Sequence, residues 1–292
     1  MKRPMSLVRP SFKKYKTQFF ILVVILTLIA YPIYLFSSYI SQFFVINVDY
    51  RAGREVVSEK NLDIEIYDNF FQKDDSEKLS EVVVDAISHA KNKIVIAMYS
   101  FNIDEIRNEL EKAVDRGVDV QIFYNANRGI KFEEFLGDSK EKFDIRYLGA
   151  DIIDEDDVVY SMHHKFMLID PDDEISILLT GPYNWSYYQE DLDPNILIKT
   201  YDKEIVGSYK RETDRLNLAY SNFRKFQDLD YIPWDKQITY SNGDQAEVWF
   251  SPGRNKNSVE TRIIDIVKDA KTSIDIGVTI FDSYNIASQI IR

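Results

Sequence analysis

The chain has 292 residues, 45% hydrophobic and 29% charged, a composition that folds rather than one that stays disordered. It contains no cysteine, which excludes a disulfide framework, a thiol nucleophile and any cysteine-ligated metal, and three histidines are too few for an all-histidine metal centre. The formal net charge is -12, and the first sixteen residues hold six cations and no acid, so the remainder carries about -18 and repels long polyanions unless a local basic groove intervenes.

The basic segment 1–17 is expected to be a cytoplasmic tail. From Thr17 to Val48 there is no charged side chain, and the core Phe19–Phe36 is broken only by Thr27, Pro32 and tyrosines. A helix needs about 20 apolar residues to cross a bilayer, so 18–46 reads as one transmembrane helix. Pro32 is placed to kink it, and Tyr31, Tyr34 and Tyr39 suit the far interface. The run is long for a signal peptide, and no small-x-small cleavage site follows it. Basic residues before the span predict a cytoplasmic N-terminus, with all that follows on the outer side of a cell membrane: periplasmic or extracellular in a bacterium.

Beyond the span the sequence repeats. Ala86-Ile-Ser-His-Ala-Lys-Asn-Lys-Ile-Val-Ile-Ala-Met-Tyr-Ser-Phe101 matches Ile266-Val-Lys-Asp-Ala-Lys-Thr-Ser-Ile-Asp-Ile-Gly-Val-Thr-Ile-Phe281, and upstream Glu65-Ile-Tyr67 matches Glu247-Val-Trp249. Each unit reads as strand, helix, then alternating strand. Leu79, Val82, Val83, Ala86, Ile87 and Ala90 recur at helical spacing, while Ile94, Ile96 and Met98 alternate. The first unit continues with an amphipathic helix over Ile106–Val114, stopped at Arg116-Gly117, and a buried strand over Val118–Tyr124. A short helix near Phe132–Leu136, a strand at Phe143–Leu148 and an acidic loop at Asp151–Asp157 come next. Strands at Phe166–Ile169, Ile175–Thr180 and Ile196–Thr200 and a helix from Lys203 to about Phe226 complete it. This gives a first α/β domain over 60–228 and the start of a second copy over 243–292, cut short at Arg292.

Chemistry concentrates in His163-His-Lys-Phe-Met-Leu-Ile-Asp170 and Thr180-Gly-Pro-Tyr-Asn-Trp-Ser186. In an extended segment residues i and i+2 share a face, so His163 and Lys165 point one way and His164 the other. An ammonium binds phosphate oxygen and disfavours protonation of a neighbouring imidazole, keeping it nucleophilic. Asn184 offers a further donor. This is a metal-free route to a phosphodiester, in which imidazole attacks phosphorus and water resolves the phosphohistidine. No carboxylate cluster for a divalent metal sits in the segment.

The segment resembles the phospholipase D superfamily. The HxKxxxxD motif is met by His163, Lys165 and Asp170, and the Gly-Ser-x-Asn element is partly met by Gly181 and Asn184. The resemblance runs from about residue 63 to the end. It implies an α/β fold, a phospholipase D-like mixed sheet flanked by helices, here preceded by the N-terminal transmembrane helix. It implies His163, Lys165 and Asp170 as the catalytic set, Lys165, Asn184 and Gly181 at the substrate phosphate, and no metal or cofactor. Two motif-bearing halves, in one chain or across a homodimer, would share one site, with one histidine as nucleophile and the other protonating the leaving oxygen. The sequence departs from the family pattern at three points. Pro182 replaces the usual serine. Pro194 precedes Asn195 where a glutamate is usual, leaving Asp193 or Glu190 to orient the nucleophile. The second motif is absent from this sequence.

The remaining candidates read as structural. His164 belongs on the face opposite His163, His89 is a surface or packing residue, and Asp151–Asp157 is a solvated loop before it is a calcium site. Tyr183, Trp185, Tyr187 and Tyr188 suit either a substrate pocket or the core. The leading functional expectation is a membrane-anchored phosphodiesterase acting on phospholipid, by hydrolysis or head-group transfer. A nuclease using the same residues is weighed down by the acidic charge, and the third reading is an inactive membrane-tethered scaffold.

Overall fold

The computed structural model describes residues 64–70, 78–153, 159–221, 235–240, 243, 245–251 and 258–291. The span expected at 18–46 lies outside them, and among the described residues no helix is long and apolar enough to cross a membrane. These residues divide into two units, one within Glu55–Thr261 and one containing Arg262–Arg292.

The first unit is built on an eight-stranded mixed sheet in the order β1-β8-β7-β6-β2-β3-β4-β5. Its strands are β1 (Ile64–Asp68), β2 (Lys93–Met98), β3 (Asp119–Asn125), β4 (Asp144–Ile153), β5 (Val159–Ser161), β6 (Lys165–Ile169), β7 (Ile177–Thr180) and β8 (Ile196–Thr200). β2, β3 and β4 run parallel, and β6 lies antiparallel on the other side of β2. Position in the sheet explains the β2 sequence. Ile94, Ile96 and Met98 face one hydrophobic layer, Val95 and Ala97 the other, so the strand is apolar throughout.

Three helices cover the first face: α1 (Leu79–Ser88), α2 (Asp104–Asp115) and α3 (Gly129–Leu136). α1 buries Leu79, Val82, Val83, Ala86 and Ile87, its predicted stripe. α2 starts with Asp104 and Glu105 and ends on Gly117 in the left-handed region, at φ +94°. The Val118 N–H returns to the Ala113 carbonyl (3.0 Å) and the Gly117 N–H to that of Val114 (2.8 Å), closing the helix end. The short α4 (Tyr187–Asp191) follows β7, and α5 (Lys203–Ser221) packs Ile205, Val206, Leu216 and Ala219 on the opposite face of the sheet. The Asp202 carboxylate caps α5 by accepting from the N–H groups of Glu204 and Ile205.

The structure departs from the sequence expectation at two places. β4 runs on to Ile153, so the first residues of the expected acidic loop are strand paired with the short β5, where Ile153 faces Val159. The second copy forms β10 (Gln245–Val248), which pairs with the preceding β9 (Asp235–Thr239), then α6 (Val259–Asp269) and α7 (Tyr284–Ile290), but no strand over 273–282. The alternation of Ile274, Ile276, Val278 and Ile280 is correct for a strand. What is missing is backbone partnership, because the matching β2 is held by β3 and β6, and no such neighbours pair with 273–282 among the described residues. Ile280 is accordingly 75% exposed.

The two copies share one local detail. In β1 the Tyr67 hydroxyl donates to the Glu65 carboxylate (2.5 Å), and after β10 the Trp249 indole N–H donates to that of Glu247 (2.8 Å).

Candidate functional site

The register of the central strands brings the informative segments to one edge of the sheet. Met98, at the end of β2, faces Lys165, at the start of β6, and Tyr124, near the end of β3; Phe166 faces Thr180, at the end of β7. The loops carrying Tyr99, Asn125 to Arg128, His163 and Gly181 to Asn184 therefore all leave the sheet at that edge.

Tyr99 is the hub. The His163 ring stands edge-on to it, with centroids 4.4 Å apart. The Lys165 ammonium lies 5.3 Å and the Arg128 guanidinium 4.5 Å from the Tyr99 centroid. The Lys165 ammonium also donates to the His163 carbonyl (2.8 Å), and the His163 ring nitrogens have no hydrogen-bond partner among the described residues. Burial, then the positive charges of Lys165, His164 and Arg128, hold the His163 imidazole below its ordinary value of 6.5. Burial first and Arg128 second bring Lys165 down to about 8. At neutral pH the site thus holds a neutral imidazole beside two cations, an arrangement suited to attack on an anionic phosphorus centre.

Two buried amides complete the edge. Asn125, 1% exposed, accepts from the Met162 N–H (3.1 Å) and the Ser161 hydroxyl (3.3 Å), fixing the segment that leads into His163; its Nδ2 has no partner among the described residues. Asn184 also has a buried, unpartnered side-chain atom, Oδ1. Its loop is held by the bond from Asn102 N–H to the Trp185 carbonyl (2.7 Å) and by the buried Tyr183 and Trp185. Those two aromatics are core, whereas Tyr187 and Tyr188 are exposed. Amide atoms left unsatisfied in this way are places for a ligand or water to bind.

Residues 83–217 match the family model of the cardiolipin synthase, PLD-like domain. That stretch is similar to a phospholipase D-like domain. Domains of this superfamily are phosphodiesterases. Among solved structures, NucT from Helicobacter pylori is similar at 22% identity and a TM-score of 0.45, over 53% of this chain and 94% of that one. Nuc from Salmonella typhimurium, a phospholipase D family member, gives 20% identity and a TM-score of 0.41 over 53% and 93%. Phosphatidylserine synthase from Haemophilus influenzae gives 15% identity and 0.39 over 53% and 39%. No curated protein gives a match.

Within the matched stretch the three motif positions separate. His163 and Lys165 meet at the edge just described, but Asp170 does not join them. A strand advances roughly 3.3 Å per residue, so the seven steps of the motif carry Asp170 to the opposite edge of the sheet. There it is buried and left-handed (φ 47°), and its carboxylate accepts from the N–H groups of Lys91 (2.9 Å), Asn92 (2.8 Å) and Lys93 (2.8 Å). Although the motif groups it with the catalytic set, its hydrogen bonds tie the end of β6 to the turn before β2.

Gly181 is explained without a phosphate. Its φ is +149°, and a Cβ there would lie 2.4 Å from the Ile196 carbonyl oxygen, so only glycine lets β7 leave the sheet at this point. Glu190 does not orient His163 either. It is 2% exposed and accepts from the Ser80 N–H (3.2 Å), the Ser80 hydroxyl (3.0 Å) and the Tyr183 hydroxyl, clamping the start of α1 to the 183–190 segment. The backbone carbonyl of Asp193, the other candidate, accepts from Asn69 and Asn195.

His164 does occupy the opposite face. Its Nε2 is 2.9 Å from the Glu212 carboxylate on α5, which also takes two bonds from Arg215 (2.8 and 3.1 Å). His89 sits at the end of α1, its Nδ1 on the Asp85 carbonyl.

Tyr99, Asn125 and Arg128 are site residues that motif reading missed. Tyr99 and Arg128 both follow the carboxyl end of a parallel strand, where α/β sheets place their ligands, and that is the signal that would have found them.

Proposed function

We propose that this chain is a membrane-anchored phosphodiesterase that acts on phospholipid, by hydrolysis or head-group transfer, through a phosphohistidine on His163. The observation that supports it most is the His163 ring, unpartnered among the described residues and held neutral beside the Lys165 ammonium. A ring nitrogen attacks phosphorus, and the bond to the leaving alkoxide breaks. The electron pair departs on that oxygen, which takes a proton from a general acid. Water then attacks the phosphohistidine, the P–N bond breaks, the imidazole returns neutral, and the water proton passes to the conjugate base of the general acid. An alcohol in place of water gives head-group transfer. Lys165 and Asn184 hold the phosphate oxygens.

The general acid in this proposal is a second copy's histidine, across a homodimer. His164 is tied to Glu212, and His89 belongs to the far end of α1, so neither is free for the role. Domain 60–228 carries the chemistry, 243–292 begins a second copy of the fold, and the apolar segment 18–46 holds the site at lipid head groups with the N-terminus cytoplasmic.

The test is turnover of bis(4-nitrophenyl) phosphate by the full chain in neutral detergent with EDTA, beside His163→Ala. Chelator-resistant release of nitrophenolate, abolished by the substitution, together with an acid-labile phosphoryl adduct, is the expected result. Turnover that survives in the variant refutes the mechanism, and no turnover in either protein points to a scaffold. Cleavage of single-stranded DNA with phospholipid vesicles untouched would replace the substrate class.

A further inference from the structure

Many of the cations among the described residues are neutralised. Arg107, Lys112, Arg116, Arg146 and Arg215 each lie on a carboxylate, as expected in a chain of net charge -12. Arg128 and Lys165 differ. Neither has an acidic partner among the described residues, yet both stand over the Tyr99 ring, at 4.5 and 5.3 Å from its centroid, so they are separated by no more than the sum of those distances. Lys165 lies beside the nucleophile and accounts for the scissile phosphate. Arg128 comes from a different element, the turn Ala126–Arg128 after β3, and is exposed. Two like charges held close together repel, and the arrangement is relieved by an anion that spans both. A guanidinium also presents a planar fork suited to a phosphate or carboxylate, and stacking on Tyr99 restricts its orientation.

We propose that Arg128 reads a second negative charge: the site prefers phosphodiesters that carry a further anionic group, a phosphomonoester above all, beside the scissile phosphate. This rests on the phosphodiesterase reading for the location of the scissile group. A lipid head group and a short oligonucleotide can both supply the chemistry, and the experiment separates them.

Binding of glycerophosphoglycerol and glycerophosphoglycerol phosphate to the full chain in neutral detergent is measured by calorimetry. So is binding of thymidylyl-thymidine with and without a terminal phosphate. At least one pair is expected to show about tenfold tighter binding of the doubly anionic member, and that pair names the source. Arg128→Ala brings the ratio close to one and Arg128→Lys restores part of it. Lys112→Ala, which removes a cation from the far end of α2, leaves it in place. Equal affinities in the wild type overturn the proposal. So does a ratio that survives Arg128→Ala, or one that falls as far in Lys112→Ala. If the ratio depends on Arg128 while neither phosphatidylglycerol phosphate vesicles nor the phosphorylated dinucleotide is turned over, the catalytic reading fails and the anion preference stands.

Discussion

The imidazole of His164 lies 2.9 Å from the Glu212 carboxylate, one residue along from the unpartnered ring of His163. Adjacent histidines therefore face opposite sides of the sheet, one toward solvent chemistry and one into a buried ionic cluster. Glu212 is 1% exposed and also carries Arg215, whose guanidinium reaches on to the Ser251 carbonyl (3.0 Å). Glu212→Gln removes the carboxylate charge from beside a buried guanidinium, a change that costs about 3 kcal/mol. Thermal unfolding should show a fall in Tm of several degrees, with Glu212→Ala lower still. An unchanged Tm would mean that this cluster does not hold α5 to β6.

Asp170 supports three backbone N–H groups from a left-handed conformation that asparagine adopts more readily than alanine. Asp170→Asn is expected to cost about 1–2 kcal/mol and Asp170→Ala about 3 kcal/mol or more, because the latter orphans all three donors. Measured well below its Tm, Asp170→Asn should keep much of the wild-type kcat, while His163→Ala keeps none. Equal losses in the two variants would return Asp170 to the catalytic set.

Gly181→Ala places a methyl group 2.4 Å from the Ile196 carbonyl oxygen at a φ of +149°. Strain of this kind costs roughly 1–3 kcal/mol, and β7 must shift against β8 to relieve it. Because the same loop carries Asn184, urea unfolding should show the loss in stability and KM should rise as well. A variant as stable as wild type would show that the loop is looser than the contact implies.

The pH dependence follows from two depressed groups. His163 titrates below 6.5, so the acid limb of kcat/KM should lie below that value; Lys165 titrates at about 8, so the basic limb should fall there. The stability linkage has a definite sign. The folded imidazole resists protonation more than the unfolded one, so its contribution is present above the unfolded value and is lost as pH falls through the folded one. Lys165→Met removes one positive neighbour but leaves the burial, so the His163 ring signal should move partway back toward 6.5. A titration by NMR that stays put would exclude Lys165 as a cause.

Much of this was legible in the sequence because it depends on short-range periodicity. The α1 stripe, the alternation in β2 and the shared face of His163 and Lys165 follow from spacing alone. What spacing does not carry is where a position falls along its strand. The HxKxxxxD pattern groups Asp170 with His163, yet the strand between them separates the two by the width of the sheet. Nor does spacing supply partners: Ile274 to Ile280 alternate as Ile94 to Met98 do, and only the latter pair. Arg128 was hidden for a related reason, since the ring that gathers it with Lys165 belongs to a third segment.

The segment 273–282 has a practical consequence. It is rich in β-branched residues and has no strand neighbours among the described residues, with Val278, Ile280 and Phe281 open to solvent. Such a stretch offers backbone groups and apolar side chains to any similar strand it meets, so purified protein should self-associate there as concentration rises. Ile280→Lys should delay the onset of light scattering in concentrated samples, and a hydrophobic substitution at Thr279 should hasten it. The colloidal behaviour of the chain would then be set by one short segment of its sequence.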